Sequence, residues 1–399
     1  MQLHRAILTA ALASLAAPAL SATLSVEAGP DAQERLQGAL IEAKTGDTVL
    51  IGPGTFVLTD GLSLDVDGVI VKGAGPDRTI LSFKGQKSAG EGLLVTSDNV
   101  VLRDFAVEDS KGDGIKSKAA NQIVYYNLRV EWTNGPKASN GAYGVYPVES
   151  KNVLIDSVLV KGASDAGIYV GQSENIIVRK SRAHFNVAGI EIENSYNADV
   201  HSNIATRNTA GILVFDLPNL PKKGGHDVRI FSNLIEWNAT PNFAPPGNIV
   251  ASAPTGTGVI VMANKNVHVF GNTIRGHGTT NVMVVGYQMD FTDTGYQPLP
   301  IDIVVRGNSH GKAGFDPGPQ FAGGKELAAA LGSLPPILWD GTGSGVHVSD
   351  AVPAFTMGLK DPKARATQAN PQPVDLSGVA PAKEPARIVL PAEMEAAIR

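Results

Sequence analysis

The chain has 399 residues, with 33 Lys and Arg against 38 Asp and Glu, a net charge of -5, 44 Gly, 25 Pro and no Cys. Without cysteine there is no disulfide scaffold, thiol nucleophile or cysteine-ligated metal centre. The sequence has no Lys/Arg cluster, which argues against nucleic acid as a partner. Only 18% of the residues are charged, so the composition favours turns and strands over long solvated helices.

Residues 1–22 are predicted to be a signal peptide. A short basic segment ends at Arg5, an uncharged stretch rich in Ala and Leu follows over 6–20, and 19–22 offers small residues to signal peptidase. The apolar stretch has about 15 residues, fewer than the roughly 20 that a membrane-spanning helix needs. The sequence therefore predicts export to the periplasm or beyond, and no membrane span in the mature protein.

The middle of the chain repeats with a period near 22 residues. One motif is Asn-Val-x-Ile and its variants, and a second is Gly followed by Ile or Val, at Gly114, Gly144, Gly167, Gly189, Gly211 and Gly258. Apolar residues alternate within each copy, as in strands with one buried face. A leucine-rich horseshoe has a similar period, but its spaced leucines are missing. Because one copy cannot enclose a core, neighbouring copies must stack, and we predict a parallel β-helix.

Stacking places equivalent residues about 4.8 Å apart. Asparagines recur at two corners of the repeat, and amide side chains in such columns can hydrogen-bond to one another. We therefore expect structural asparagine ladders, one formed by Asn203, Asn233, Asn272 and Asn308 and another by Asn186, Asn208 and Asn238.

These repeats, from Gly114 to Asn308, together with the stretch 36–57, resemble the right-handed parallel β-helix proteins with pectin-lyase-like repeats. The resemblance implies an all-β solenoid. We expect a right-handed parallel β-helix of about ten coils over 23–310 with an N-terminal helical cap, then an irregular C-terminal cap and a Pro/Ala-rich tail over 311–399. The group includes lyases, hydrolases, epimerases and exported proteins without known activity, so the resemblance specifies fold more strongly than function.

Four insertions interrupt the period, and all of them flank the Gly-Ile strand: 132–142, 217–226, 239–257 and 287–300. Long loops on a solenoid tend to carry function. Loops that rise from both sides of one strand column form a groove, which suits a polysaccharide or another extended polymer. The alternative is that the insertions only lengthen the connections between strands, since extra loop residues reduce the stability of the fold very little.

Alternation along the stacked Gly-Ile strands places Lys116, Tyr146, Tyr169 and Glu191 on the outer face. Lyases and C5-epimerases of uronate polymers must neutralise a carboxylate and transfer a proton at C5. In such a site Lys116 would neutralise the carboxylate, and Tyr146 or Tyr169 would act as base or acid. Glu191 with Glu193 would either bind a cation or assist proton transfer. The competing explanation is that an exposed strand carries these residue types for β-propensity and solubility.

Further substrate contacts are predicted further along the same strands and in the loops: Lys118, Gln172, Glu193, Asp216, Trp132, Trp237 and His226. The tryptophans would stack on sugar rings or anchor the loops. We assign no metal site, but Glu193 and Asp216 are expected one strand spacing apart, which leaves Ca²⁺ as an open cofactor. The alternative function is a non-catalytic periplasmic binding or assembly module of unknown partner, for which another protein is one candidate.

Overall fold

The computed structural model describes residues 21–88, 90–364 and 368–399. The predicted signal peptide, 1–22, lies outside these ranges except for its last two residues. Within them the chain winds repeatedly through three sheets, here named A, B and C. From Thr48 to Val348, successive strands enter A, then B, then C.

Sheet A has twelve parallel strands: β1 (Thr23–Val26), β2 (Thr48–Ile51), β5 (Ile70–Lys72), β8 (Val100–Arg103), β11 (Asn121–Tyr126), β14 (Lys151–Asp156), β17 (Glu174–Arg179), β20 (Tyr196–His201), β23 (His226–Phe231), β26 (Lys265–Phe270), β29 (Ile301–Arg306) and β32 (His347–Val348). Sheet B has ten: β3 (Gly54–Val57), β6 (Thr79–Ser82), β9 (Ala106–Glu108), β12 (Arg129–Glu131), β15 (Leu159–Lys161), β18 (Arg182–His184), β21 (Ile204–Thr206), β24 (Leu234–Glu236), β27 (Thr273–Arg275) and β30 (Ser309–His310).

Sheet C has twelve strands, of which the last pairs antiparallel: β4 (Leu62–Leu64), β7 (Leu93–Val95), β10 (Ile115–Lys118), β13 (Tyr143–Val148), β16 (Ala166–Gly171), β19 (Ala188–Glu193), β22 (Ala210–Phe215), β25 (Thr257–Met262), β28 (Thr280–Val285), β31 (Ile337–Trp339), β33 (Ala354–Thr356) and β34 (Gln372–Pro373). The helices are α1 (Ala32–Glu42), α2 (Gly324–Leu331), α3 (Ala392–Ala396) and a 3₁₀ turn at Ile249–Ser252. The architecture is a parallel β-helix, as the repeat predicts.

The core is a set of stacked aliphatic rows between the sheets. Ile168, Ile190, Ile212 and Val259 are in register on adjacent strands of sheet C, and none of their surface is exposed. Each row continues from coil to coil, so the buried apolar area grows with the number of copies. This stacking supplies the stability that a single 22-residue repeat lacks.

The glycine of the Gly-Ile motif is required by the close approach of adjacent coils. A Cβ at Gly114 would lie 2.6 Å from the carbonyl oxygen of Gly144, and a Cβ at Gly144 would lie 2.6 Å from that of Gly167. The same contact recurs at the later glycines of the column. A side chain at these glycines would push the coils apart, which explains why the position is glycine from Gly114 to Gly258; the equivalent position of the next coil is Asn281.

Both predicted asparagine ladders are confirmed. In the first, the Asn203 amide donates to Asn233 at 3.0 Å, and Asn233 donates in turn to Asn272 at 2.9 Å. The Asn272 amide continues the ladder to Asn308 at 2.9 Å. The second ladder joins Asn186, Asn208 and Asn238 in the same way and ends on the His277 ring.

The two ends of the described chain pack against the solenoid. Helix α1 buries Leu36, Ala39 and Leu40 in the main core. The C-terminal segment 383–399 lies along the outer surface of sheet A, where Leu390 and Met394 pack on the sheet. Within the described residues, no helix combines the length and the apolar character needed to cross a bilayer.

Candidate functional site

The outer face of sheet C carries the column of residues that alternation predicts. Lys116 is in register with Tyr146, and Tyr169 is in register with Glu191. Their positions are set by the inward-facing residues one place earlier in each strand, which are locked into the core rows. The sequence prediction of this outer column therefore agrees with the register of the strands.

Three tyrosine rings pack together on this face. Tyr143 contacts both Tyr146 and Tyr169, with ring centroids 4.6 and 4.3 Å apart, and Tyr146 meets Tyr169 edge-on at 4.8 Å. The ring of Tyr169 lies across Gly171, because a Cβ at that glycine would be 2.5 Å from the ring. Gly171 therefore allows the ring to lie along its own strand, towards Glu193 on the next coil.

Lys116 is held by carboxylates at one end of the tyrosine group. Its ammonium lies 3.0 Å from Glu91 and 3.8 Å from Asp113, and it stands 5.0 Å from the centre of the Tyr146 ring. Burial raises the pKa of Asp113 to about 6, although Lys116 opposes that shift. The lysine charge is therefore largely compensated by its own neighbours.

Glu191 and Glu193 are buried next to the tyrosines, with 1% and 5% of their surface exposed. Burial, with a contribution from the Asp165 charge, raises the pKa of Glu191 well above its usual value. The same two causes, joined by Asp216, raise the pKa of Glu193 to about 8. Burial disfavours the charged form of a carboxyl, so Glu193 is mostly protonated at neutral pH, and the pKa of Glu191 is shifted in the same direction.

Two members of this group were missed by the sequence analysis. Asp165 is buried and accepts a hydrogen bond from the Asn248 amide at 3.1 Å, and burial raises its pKa to about 7. Tyr143 is the second, and its pKa is raised by burial and by Asp165, Glu191 and Glu193. Tyr143 directly precedes a motif glycine and Asp165 lies two residues before one, so inspection of the positions before each Gly-Ile would have found them.

The further contacts predicted along the same strands, at Gln172, Glu193 and Asp216, are partly wrong. Glu193 is in register with Phe215, not with Asp216, and Gly171 rather than Gln172 aligns with Glu193. Gln172 has a positive φ of 50°, which marks the corner where the strand has already ended. Asp216 lies at the equivalent corner and accepts hydrogen bonds from the Gly224 and Gly225 amides at 2.8 and 2.9 Å. The predicted Glu193–Asp216 stacking is therefore not present.

The other predicted contacts are dispersed. Trp132 is buried and donates its indole N–H to the Ser110 carbonyl at 2.8 Å, so it anchors its loop. Trp237 is exposed but packs near Gly276 between sheets B and C. His226 begins β23 in sheet A and stacks on Tyr196, and Lys118 is exposed at the end of β10. The structure does not bring these four residues to the tyrosine group.

The C-terminal half of the same face is apolar and encloses a cavity of about 320 Å³. Beyond Glu191 the outer column continues through Leu213, Ile260, Met283 and Leu338. Residues of two inserted loops, at 249–254 and 287–289, cover this surface. The insertions that were expected to flank an open groove therefore form a roofed pocket here. In the part of the chain that the structure describes, no group of three or more His, Asp or Glu side chains is placed to hold a metal ion.

Comparisons with known proteins agree with this architecture. A family model described as the right handed beta helix region matches residues 67–220. The chain is a right-handed parallel β-helix. No curated protein matches the sequence.

Solved structures of the same fold include two from bacteria. The A-module of a mannuronan C-5 epimerase from Azotobacter vinelandii is similar with a TM-score of 0.55 and 16% identity, over 82% of this chain and 88% of that one. An alginate lyase from Paenibacillus sp. is similar with a TM-score of 0.51 and 18% identity, over 73% of this chain and 97% of that one. At these identities the likeness concerns the fold.

Proposed function

We propose that this right-handed β-helix acts on a carbohydrate polymer at the outer face of sheet C, by lyase or epimerase chemistry. The observation that carries the proposal is the packing of three tyrosines next to carboxyls with raised pKa values, with Lys116 at one end of the group. Similarity of fold to an epimerase and a lyase that are named for mannuronan and alginate supports the polymer class.

The role that we propose for each residue follows from the direction in which its pKa is shifted. Asp165, with a pKa near 7, is the group best suited to accept a proton at neutral pH. Burial and neighbouring carboxyls raise the pKa of Tyr143 and Tyr146, so their hydroxyls stay protonated and act as donors. Protonated Glu193 can donate a hydrogen bond to a sugar carboxylate, a task that Lys116 shares only if it leaves Glu91.

Turnover on alginate, pectate and a neutral glucan tests this proposal. Lyase activity gives unsaturated products that absorb in the ultraviolet, and epimerase activity changes the uronate signals in the NMR spectrum. We expect Tyr146→Phe and Asp165→Asn to lower kcat/KM by about 100-fold or more. Tyr126→Phe, on the outer face of sheet A, is the matched control and should retain full activity.

A non-catalytic binding module is the second candidate, because Tyr169 and Glu191 are only 5% and 1% exposed. This function predicts retention of the protein on a polymer in affinity electrophoresis without turnover, and loss of retention in Lys116→Ala. If no polymer in the panel is bound or converted, both functions are wrong.

We also propose that the protein acts after export. In support, β1 begins at Thr23, directly after the predicted signal peptide, so removal of 1–22 would leave every strand complete. Mass spectrometry of the protein from a periplasmic fraction should find a mature N-terminus near residue 23. An intact chain that begins at Met1 would overturn this proposal.

A further inference from the structure

The cavity on sheet C contains a carboxyl group without a partner. Glu191 forms part of the cavity wall, and its Oε1 is fully buried and receives no hydrogen bond. Among the residues that the structure describes, no Lys, Arg or His lies within 4 Å of its carboxyl. A buried carboxyl oxygen without a hydrogen-bond donor has lost its contact with water and gained nothing in return. A ligand that donates a hydrogen bond to this oxygen would offset the free-energy cost of its desolvation.

The surroundings of Glu191 favour a cationic partner over a neutral one. The groups near it are acidic or phenolic: Asp165, which directly precedes β16, Glu193 two residues along the same strand, and Tyr143 from the coil two below. Within the ranges that the structure describes, the Asp165 carboxyl accepts a hydrogen bond from the neutral amide of Asn248 alone. Lys116, at the far end of the tyrosine group, is already paired with Glu91. The end of the cavity near Glu191 therefore has more carboxyl groups than positively charged groups among the described residues.

The rest of the cavity is suited to an apolar body. Its floor and sides include Phe215, Met262, Met283, Leu338 and Trp339. Methionine side chains are flexible and polarisable, and they adapt to ligands of different shape. An apolar cavity of roughly 150 Å³ holds a benzene molecule. A cavity of about 320 Å³ therefore has room for an aromatic ring with a short side chain.

We propose that this cavity binds a small organic cation, an amine or ammonium group on an apolar body, with the charged group at Glu191 and the body between β22, β25, β28 and β31. The site does not require a polymer substrate, so it stands apart from the function proposed above. Its only residue in common with the predicted catalytic set is Glu191.

A matched pair of probes tests the charge requirement. 2-Phenylethylamine and 2-phenylethanol have nearly the same shape, and their binding to the full-length mature protein can be measured by isothermal titration calorimetry. We expect the amine to bind at least about tenfold more tightly than the alcohol near neutral pH, which corresponds to roughly 1.4 kcal/mol. Equal affinity for the two probes, or binding of neither, would overturn the proposal.

Two variants and a control locate the binding site. Glu191→Gln keeps the shape of a neutral carboxyl and should remove the preference for the amine while leaving alcohol binding unchanged. Ile260→Phe adds volume to the cavity wall and should weaken both probes. Glu149→Gln, an exposed carboxyl on the same side of the solenoid, should change neither affinity. An amine preference that survives Glu191→Gln would place the cation elsewhere and refute the assignment.

Proton release supplies an independent readout. Burial and the Asp165 charge raise the pKa of Glu191, whereas a bound ammonium group would lower it, so amine binding is expected to shift this carboxyl towards its ionised form and to release protons to the buffer. The calorimetric enthalpy should therefore vary with the ionisation enthalpy of the buffer for the amine and not for the alcohol. An amine enthalpy independent of the buffer would contradict the proposed pairing.

Discussion

At the scale of single residues, the arrangement of the tyrosine group depends on a missing side chain. The ring of Tyr169 occupies the space that a Cβ at position 171 would need, at 2.5 Å from the ring carbon and 3.0 Å from the hydroxyl oxygen. The ring is 5% exposed and wedged between Tyr143 and Tyr146, so it has little room to move.

We expect Gly171→Ala to lower the free energy of unfolding by about 1–3 kcal/mol, because overpacking displaces Tyr169. Urea unfolding measures the loss, and near-ultraviolet circular dichroism should report the altered tyrosine environment. Gly378→Ala is the control, since a Cβ there meets no atom within 4 Å. An unchanged midpoint for Gly171→Ala would show that Tyr169 does not lie across this glycine.

The buried carboxyls should also make stability depend on pH. Glu193 has a raised pKa of about 8 in the folded protein, against an ordinary value of 4.5. Between these values the folded state keeps a proton that the unfolded state releases, so stability falls as the pH rises. Asp165 and Glu191 contribute in the same direction, since their pKa values are raised too.

Between acid and mildly alkaline pH, the free energy of unfolding of Glu193→Gln should fall less than that of the unsubstituted protein, by on the order of 3 kcal/mol. The measurement is urea unfolding of the variant and the unsubstituted protein across that range. Glu42→Gln, on the exposed side of α1, should leave the pH profile unchanged. Parallel profiles for Glu193→Gln and the parent would mean that Glu193 is ionised in the folded protein.

At the scale of structural elements, the asparagine ladders join coils that are otherwise linked by strand pairing. Asn233 lies in the middle of its ladder and is 2% exposed. Its amide donates to Asn272 and to the Val200 carbonyl, and its oxygen accepts from Asn203. Removal of this side chain leaves buried donors and acceptors on both neighbouring coils without partners.

We expect Asn233→Ala to destabilise the protein by about 3–5 kcal/mol, because several buried hydrogen bonds are lost at once. Thermal or urea unfolding measures the change. Asn134→Ala, at an exposed loop position, is the matched control and should have an effect near zero. A similar small effect at Asn233 would show that water replaces the ladder.

The corners between the strands explain why the outer column from Lys116 to Glu191 was predicted correctly, whereas the positions of Gln172 and Asp216 were not. Strand alternation holds through Tyr169 and Gly171, and it ends at Gln172, where the backbone enters the left-handed region. A period of two from Tyr169 leads to Gly171, so the prediction of Gln172, three residues after Tyr169, departed from the alternation and fell on the corner. The repeat shows where corners occur, but it does not identify which residue adopts the positive φ, since Asn, Gln, Glu and Ala all do so here.

At the scale of the whole molecule, the C-terminal segment covers an apolar patch on the outside of sheet A. Val124, Leu154 and Ile177 face outward from adjacent strands and are buried by Leu390 and Met394. Ion pairs reinforce the contact, with Arg179 bonded to Glu395 at 2.7 Å and Arg229 to Glu384 at 3.0 Å.

We expect the double substitution of Leu390 and Met394 by Ala to lower the free energy of unfolding by about 3 kcal/mol and to expose the patch. Urea unfolding and the binding of a hydrophobic dye measure these effects. Val389→Ala is the control, because that side chain is 84% exposed. A double variant as stable as the parent would show that the segment is not docked in solution.

The sequence alone determined the repeat, the parallel β-helix, the asparagine ladders and the outer column from Lys116 to Glu191. These features depend on a local pattern that each coil repeats, because the coils stack on one another. They can therefore be predicted from the order of residues along the chain. Only the tertiary structure decided that Asp165 and Tyr143 join that column, that Asp216 does not stack on Glu193, and that inserted loops roof the apolar half into a cavity. Loop positions and side-chain charges near one another in space have no period in the sequence, because they arise from contacts between residues far apart in the chain.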